Sequence, residues 1–340
     1  MHLSHWFVTV ATLAVLSTVG TPAMAADKPV TLRYASNAPA TSPWATQIKR
    51  FAQAVEEESQ GSIRIEPFFN GQLGNEQDTI QQVARGRIDM GAFSAGSVSL
   101  VVPEVQLALL PMYYDGPAES DCLLDTHFKP TFSALLDAKG IKLMQLGEVG
   151  EIGLFGKRSY ASPADLNGLK AIAYNKINSV MWTSLGVNSS FIGVPEWVSS
   201  IQTGLVDVVG SIVSLYVPSG MNKVAPVMTR NYLWNTPSLI VMSKRAWSGL
   251  SAEQRAAVER AVARDPSDKL RAEIRGMEAK LRQAHLAGGG EIVELNPAQL
   301  DAWRKVIGRS WPEMVKTIGG SAEAMFPKVE SARGACRSKT

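Results

Sequence analysis

The sequence predicts an α/β protein of two lobes, and three observations lead to this prediction. Predicted strands and helices alternate along the first hundred residues, and the same alternation returns after a glycine-spaced stretch over 147–153. The chain of 340 residues is also longer than one compact core usually organises. With 45% apolar and 19% charged residues, the composition is typical of a globular protein and argues against a disordered chain or a fibre.

The elements of the first lobe follow from hydrophobic spacing and from start and stop residues. Apolar residues alternate with polar ones from Val30 to Tyr34, as in a half-buried strand. Ser42-Pro43 is a helix start, and Asn75 is placed to cap a second helix that Gly86 ends. The predicted order is a strand over 30–34, a helix from 43 to about 61, a strand over 63–65, a helix over 75–86 and a strand over 88–91.

The second lobe repeats this order. Ser162-Pro163-Ala164-Asp165 is a capped helix start, and Pro266 should divide a helical segment, with Asp265 or Ser267 capping its second part. The predicted elements are strands over 141–146, 169–174 and 206–209, and helical segments over 180–185, 195–201 and 251–287. We expect residues 26–149 to form lobe I, with about 236–275 returning to it, and residues 150–235 to form lobe II, with about 276–340 packing on it.

The first 25 residues have the pattern of a secretory signal peptide. No Lys, Arg, Asp or Glu occurs before residue 27, Trp6–Val19 is mostly apolar, and Ala23-Met24-Ala25 is a small-x-small site. We expect cleavage after Ala25 and export of the mature chain; an uncleaved anchor is the alternative. Cleavage removes two of the four histidines and leaves His127 and His285.

Export also affects how the two cysteines are interpreted. In an oxidising compartment, Cys122 and Cys336 can pair and tie the C-terminal tail to the body of the protein. Two free, buried thiols are the alternative, since the sequence does not give the Cα separation that decides between them.

Residue patterns for catalysis, cofactors or nucleic acid are scarce. The glycines over 147–153 do not have the spacing of a phosphate-binding or dinucleotide-binding loop. Ser94 lies one residue away from a nucleophile-elbow pattern, but His127 and His285 are expected to be solvated and are poor partners for it. The sequence has no metal-ligand spacing, and its net charge of +3 is too weak to indicate nucleic-acid binding. We therefore expect no enzyme activity and no cofactor.

Aromatic residues near predicted strand and helix ends are the remaining candidates for ligand contact. Each could stack on a small molecule in a cleft between lobes, or simply pack in the core. They are Trp44, Phe93, Trp182, Trp197 and Trp234.

Four blocks of sequence carry a family resemblance, which runs from about residue 32 to the C-terminus. They are NGQLGNE at 70–76, VARGRIDMG at 83–91, SPADLNGLK at 162–170 and EWVSSIQTGLVD at 196–207. In this order they resemble the DctP-type solute receptors of TRAP transporters. The resemblance implies a periplasmic receptor with two α/β lobes and a long bracing helix. Such a receptor closes on a small organic anion and delivers it to the subunits of a membrane permease.

The chain departs from this family at three positions that bind a ligand carboxylate. The family's two arginines correspond to Ile152 and Ile172, and its asparagine corresponds to Ser211. Lys176 is a possible substitute for the second arginine. Since burying an unpaired carboxylate costs several kcal/mol, we expect an uncharged, cationic or partly apolar ligand. Glu151 could face a cationic group, or it could be an ordinary exposed glutamate.

The remaining site positions come from the same resemblance. In lobe I they are Asn37, Asn75, Phe93 and Ser94, and in lobe II they are Val194 and Trp197. We expect a monomer. Two alternatives stay open: a receptor of this fold that signals to a membrane kinase instead of a permease, and a secreted hydrolase that uses Ser94.

Overall fold

A mixed sheet of nine strands forms the centre of the protein, in a computed structural model that describes residues 28–338. The strands are β1 (Val30–Ala35), β2 (Ile63–Phe68), β3 (Met90–Ser94), β4 (Ile141–Gly156), β5 (Lys170–Ala173), β6 (Asn188–Phe191), β7 (Val208–Ile212), β8 (Val227–Ser243) and β9 (Glu291–Glu294). The predicted signal peptide and its cleavage site lie outside the described residues. No helix among residues 28–338 has both the length and the apolar character to cross a bilayer.

The order of the strands divides the sheet into two halves around a central pair. That order is β2-β1-β3-β8-β4-β7-β5-β6, with β9 beside β8. In one half β1 is parallel to β2 and β3, and in the other β5 is parallel to β6 and β7. Because parallel neighbours need crossover connections, each half contains the β-α-β units that the sequence predicts.

The central strands β4 and β8 pass through both halves as a long antiparallel pair. Their register shifts at three places, one of them between Glu148 and Gly150. On one side of this shift β3 pairs with β8, and on the other side β7 pairs with β4. We propose that this bulge marks the boundary between the two lobes.

β4 is longer than predicted, since it continues from 141–146 through the glycine-spaced stretch to Gly156. The strand has glycine at these positions because neighbouring side chains leave no room for a Cβ. A Cβ on Gly147 would lie 2.6 Å from Ser238 Oγ, and a Cβ on Gly150 would collide with the Glu278 carboxylate. Gly150 also has a φ of +149°, which disfavours other residues.

Fourteen α-helices surround the sheet within the described residues. They are α1 (Pro43–Glu58), α2 (Glu76–Ala84), α3 (Ala95–Val98), α4 (Pro117–Leu123), α5 (Lys129–Asp137), α6 (Lys176–Ser184), α7 (Trp197–Gln202), α8 (Val213–Tyr216), α9 (Lys244–Gly249), α10 (Ala252–Arg264), α11 (Ser267–Ala287), α12 (Pro297–Gly308), α13 (Trp311–Ile318) and α14 (Ala322–Arg337). A turn of π-helix joins α4 to α5.

The long helix α11 braces the two halves, because it packs on β4 and also contacts α1 and α8. Pro266 separates it from α10 as predicted, but Pro266 itself precedes the first turn, so the predicted cap by Asp265 or Ser267 is wrong. Some of its polar side chains make ion pairs with the rest of the protein: the half-buried Arg275 pairs with Glu148 of β4 at 2.6 Å and with Asp121 of α4 at 2.7 Å.

The C-terminal helices pack on different parts of the fold, and the expectation that residues 276–340 pack on lobe II stays a prediction. α12 and α13 lie against α6, but α14 lies against α4. Of the two alternatives for the cysteines, the structure has the paired one. Cys122 of α4 and Cys336 of α14 form a disulfide, with a Cα–Cα distance of 5.8 Å.

The buried apolar residues form three clusters. The largest spans both halves and includes Ile152, Leu154, Leu233 and Trp234 near the central strands. The second lies between the sheet and helices α1 and α10. The third lies on the α7 and α8 side of the second half and includes Ile172. Leu154 and Phe155, which are neighbours on β4, belong to the first and third clusters respectively, as side-chain alternation along a strand allows.

Candidate ligand site between the lobes

The candidate site lies where β5 and β7 end beside the central strands. Ile152 of β4 is paired with Ile212 of β7 on one side and with Trp234 of β8 on the other. Tyr174 follows the last residue of β5. Open α/β sheets bind ligands at this edge, outside the carboxyl ends of their strands.

Aromatic rings line this edge. The centroid of the Tyr174 ring lies 6.3 Å from that of Trp197 and 6.4 Å from that of Trp234. Tyr174 is 36% exposed, but its hydroxyl end reaches over Gly210, where burial raises the pKa of the phenol above its usual 10. We call the uncharged surface formed by the following residues the strand-end wall: Ile152, Tyr174, Trp197, Ile212 and Trp234.

A small cavity of about 10 Å³ lies beside the strand-end wall. It is lined by Leu109, Pro111, Asn175, Ile177, Asn178 and Trp234. The first two belong to the segment between α3 and α4, the next three cap or begin α6, and Trp234 belongs to the central strand β8. All six side chains are uncharged, and the volume is about that of one water molecule.

Asn178 has an unusual hydrogen-bonding arrangement in this cavity. Its Oδ1 accepts from the backbone N–H of Tyr174 at 3.3 Å and from Trp182 Nε1 at 3.1 Å. The residue is 2% exposed, and its Nδ2 has no acceptor among residues 28–338. Because both neighbours are donors, the oxygen must face them and the NH₂ group must point away.

Charged groups near β4 lie on its other face, against α11. Glu151 is 5% exposed and makes a bidentate pair with Arg230 of β8, at 2.9 and 2.8 Å. Both interpretations of Glu151 from the sequence are therefore wrong, because it is neither exposed nor directed toward a ligand. Its negative charge is neutralised within the protein.

Glu278 of α11 is the most buried of these carboxyl groups. It is 1% exposed, and its two oxygens lie 3.2 and 3.3 Å from the backbone nitrogen of Glu151, which donates to them. Burial, and then the negative charge of Glu151, raise the pKa of Glu278 to about 8. Arg282 is 4.0 Å away, so the site has a weakly paired, protonatable group beside the bulge in β4.

The lobe II positions taken from the family resemblance occupy different surroundings. Ile152 and Trp197 both belong to the strand-end wall. The Trp197 ring lies beside the Tyr174 ring, and its Nε1 donates to the Ile192 carbonyl. Ile172 is fully buried in the third apolar cluster, and Ser211 is 2% exposed, so neither lines an open cleft. Lys176 begins α6 as an exposed residue, and Val194 is 49% exposed.

The lobe I positions are mostly engaged in local structure. Asn37 is exposed in the loop after β1. Asn75 caps α2 through its side chain, which bonds Asp78, and Phe93 is a core residue. Ser94 Oγ donates to Glu76 at 2.6 Å and caps α3. Asn37 and Asn75 are exposed, whereas Phe93 is buried and Ser94 is half-buried.

The two histidines differ from the expectation that both are solvated. His285 is 1% exposed, stacks edge-on against Tyr216 and lies 3.3 Å from the Glu291 carbonyl. His127 is half-buried against Phe128, and burial lowers its pKa. The residues that contact the two histidines do not include Ser94. Among residues 28–338 no cluster of three or more His, Cys, Asp or Glu is arranged to hold a metal ion.

The other tryptophans are structural. Trp182 is fully buried and donates to the Ile172 carbonyl, and Trp44 of α1 reaches across to the Glu148 carbonyl of β4. Two wider surface depressions, of about 670 and 520 Å³, lie outside this region, one among α12–α14 and one between β1 and α9. Neither includes a residue of the strand-end wall.

The sequence reasoning missed Tyr174 and Asn178. Tyr174 stands just after a predicted strand, so its place at a strand end was a usable signal. Asn178 gave no such signal, because only the fold brings it opposite Leu109 and Pro111.

Two α/β halves joined by long central strands, with an uncharged wall at their strand ends, define a two-lobed solute receptor. The family model for bacterial extracellular solute-binding protein family 7 (DctP) matches residues 34–317. The chain belongs to this family, whose members are periplasmic TRAP solute receptors.

Individual relatives agree with this assignment. The C4-dicarboxylate-binding periplasmic protein DctP of Rhodobacter capsulatus is 24% identical over 309 residues, which cover 89% of this chain and 91% of that protein. A TRAP periplasmic solute-binding protein of Ochrobactrum anthropi has a TM-score of 0.85 at 22% identity, covering 92% of this chain and 97% of that one. A TRAP receptor of Chromohalobacter salexigens with bound D-glucuronate has a TM-score of 0.79 at 23% identity, covering 91% and 100%.

Proposed function

We propose that this chain captures a small organic molecule at the strand-end wall and delivers it to the membrane subunits of a TRAP transporter. We further propose that the ligand is not a simple carboxylate. It is uncharged, cationic or partly apolar, and the chain itself catalyses no reaction.

The observation that supports this most is the uncharged character of the wall and of the cavity beside it. Ile152 lies in the position where the family resemblance places an arginine, and Ile172 replaces the second arginine. Arg230 of β8 is half-buried and is already paired with Glu151 on the opposite face. A carboxylate buried here would lack a cation, which costs several kcal/mol.

This proposal separates the chain from relatives that bind acids. D-glucuronate, which the Chromohalobacter receptor binds, carries a carboxylate, and so do the C4-dicarboxylates of the Rhodobacter protein. We propose that the present chain keeps the architecture of these receptors and has lost their charge selectivity. Ser94 gives no support to the hydrolase alternative, because its hydroxyl donates to Glu76.

The test is a ligand screen followed by a matched pair of variants. The mature chain is screened by thermal shift against carboxylates, polyols, amines and aromatic compounds, since binding raises the melting temperature by mass action. Each hit is then titrated by calorimetry into Trp234→Phe and into Trp247→Phe, a control on α9 that packs against the second apolar cluster. We expect the first variant alone to lose affinity, by about fivefold or more.

Transport is tested separately with the same hit. The membrane subunits of a TRAP transporter are placed in proteoliposomes, and uptake of the labelled hit is followed with and without the receptor. We expect uptake only when the receptor is present. Binding without receptor-dependent uptake would contradict delivery to a TRAP permease, and equal loss of affinity in both tryptophan variants would contradict the proposed site.

A further inference from the structure

We propose that Asn178 determines the specificity of the ligand site, by donating its Nδ2 hydrogens to a neutral acceptor oxygen such as the carbonyl of an amide, lactam, ester or ketone. This inference rests on the proposed function and narrows its ligand class.

The first step concerns the direction of the amide. Tyr174 N–H and Trp182 Nε1 both donate to Asn178 Oδ1, which uses the acceptor capacity of that oxygen. The Nδ2 group is therefore held on the opposite side, and rotating the amide would set two donors against an NH₂ group. α6 begins two residues earlier and fixes the residue further, since the Asn178 backbone N–H donates to the cap residue Asn175 at 2.8 Å.

The second step concerns what Nδ2 meets. It is buried, it has no acceptor among the described residues, and Asn178 lines the cavity of about 10 Å³. A buried donor without an acceptor is unfavourable, so proteins seldom keep one without a water or a ligand to satisfy it. The cavity has room for about one water molecule. The acceptor oxygen of a ligand would fill the same space.

The third step concerns the charge of the acceptor. The other lining side chains are Leu109, Pro111, Asn175, Ile177 and Trp234, and none of them carries a charge. A carboxylate oxygen could accept from Nδ2, but its negative charge would have no cation among these residues. A cation would meet the positive end of the NH₂ dipole. A neutral carbonyl oxygen satisfies both conditions, and only that oxygen enters the cavity of about 10 Å³, while the rest of the ligand lies outside it.

The experiment compares acids with their primary amides on the same skeleton. The probes are benzoate and benzamide, indole-3-acetate and indole-3-acetamide, and cyclohexanecarboxylate and its carboxamide, each titrated by calorimetry into the mature chain. We expect at least one amide to bind measurably at about 1 mM, and each bound amide to bind about tenfold or more tightly than its acid. No binding by any amide, or equal or tighter binding by the acids, would overturn the inference.

Asn178→Asp then isolates the donor. The aspartate keeps an oxygen for Tyr174 N–H and Trp182 Nε1 but replaces Nδ2 by an acceptor. We expect amide affinity to fall about tenfold or more, whereas Asn188→Asp, which adds the same charge at an exposed position of the same lobe, leaves it unchanged.

Two results keep this inference distinct from the proposed function. Unchanged amide binding by folded Asn178→Asp would overturn the role of Asn178 while leaving a receptor for neutral ligands. A wide thermal-shift screen in which no small molecule stabilises the chain would overturn the proposed function itself. If Asn178→Asp fails to fold, the relative affinity of the wild-type chain for each acid and its amide decides whether the site selects a neutral acceptor oxygen.

Discussion

Replacing Glu278 by glutamine tests the buried charges beside the bulge in β4. The pKa of Glu278 is about 8 in the folded protein, against an ordinary 4.5, mainly because the group is buried. The folded state therefore binds more protons than the unfolded state between these two values. The stability from this group is fully present below about pH 4.5 and is lost as the pH rises through about 8. One pKa unit corresponds to about 1.4 kcal/mol, so the loss is at most about 5 kcal/mol, and we expect about 3 because Arg282 lies 4.0 Å away.

The assay is urea unfolding of the wild-type chain and Glu278→Gln from about pH 5 to about pH 9. Glutamine keeps an acceptor for the Glu151 N–H and does not titrate. We expect the free energy of unfolding of the wild type, relative to the variant, to fall by about 3 kcal/mol over this range. Glu291→Gln, which changes an exposed carboxyl, should run parallel to the wild type. Parallel curves for Glu278→Gln as well would refute the reasoning.

Three further predictions concern the frame of the site and its charge. Gly150→Ala should lower the free energy of unfolding by about 2–4 kcal/mol because of its positive φ and the adjacent carboxylate. Gly276→Ala, where a Cβ meets nothing within 4 Å, should raise the free energy of unfolding by up to about 1 kcal/mol. Urea unfolding of both variants tests this pair of predictions. Reduction of Cys122–Cys336, which are 214 residues apart, should cost about 2–5 kcal/mol, and a thiol titration of the native chain should find no free cysteine. Lys176→Ala should change ligand affinity by less than about twofold, because this exposed lysine makes at most a screened contact; calorimetry that shows a larger loss would restore it as a carboxylate partner.

Local patterns were sufficient for most of the fold. Hydrophobic spacing and cap residues placed β1, α1, β2 and α2, because these elements depend on short-range rules. The extension of β4 could not be predicted in this way. The spacing of its glycines is typical of a loop. The glycines are needed because Ser238 and Glu278 lie against them, and only the tertiary structure shows these contacts.

The site depends even more on long-range contacts. Glu151 and His285 are polar residues that are buried against residues distant in the sequence, Arg230 and Tyr216 respectively. Ile152 and Ile172 have the same character in the sequence but serve different apolar clusters. Which face of its strand each residue occupies depends on the register and packing of the sheet.

The affinity of the wild-type chain for D-glucuronate, the ligand bound to the Chromohalobacter receptor, tests the central claim most directly. That claim is that this receptor has the family's architecture without its carboxylate-binding charges. Calorimetry of the mature chain should give no measurable heat of binding at about 1 mM, while the best neutral compound from the thermal-shift screen binds under the same conditions. Micromolar binding of D-glucuronate would contradict this claim, and the effect of Lys176→Ala on that binding would show whether Lys176 supplies the charge.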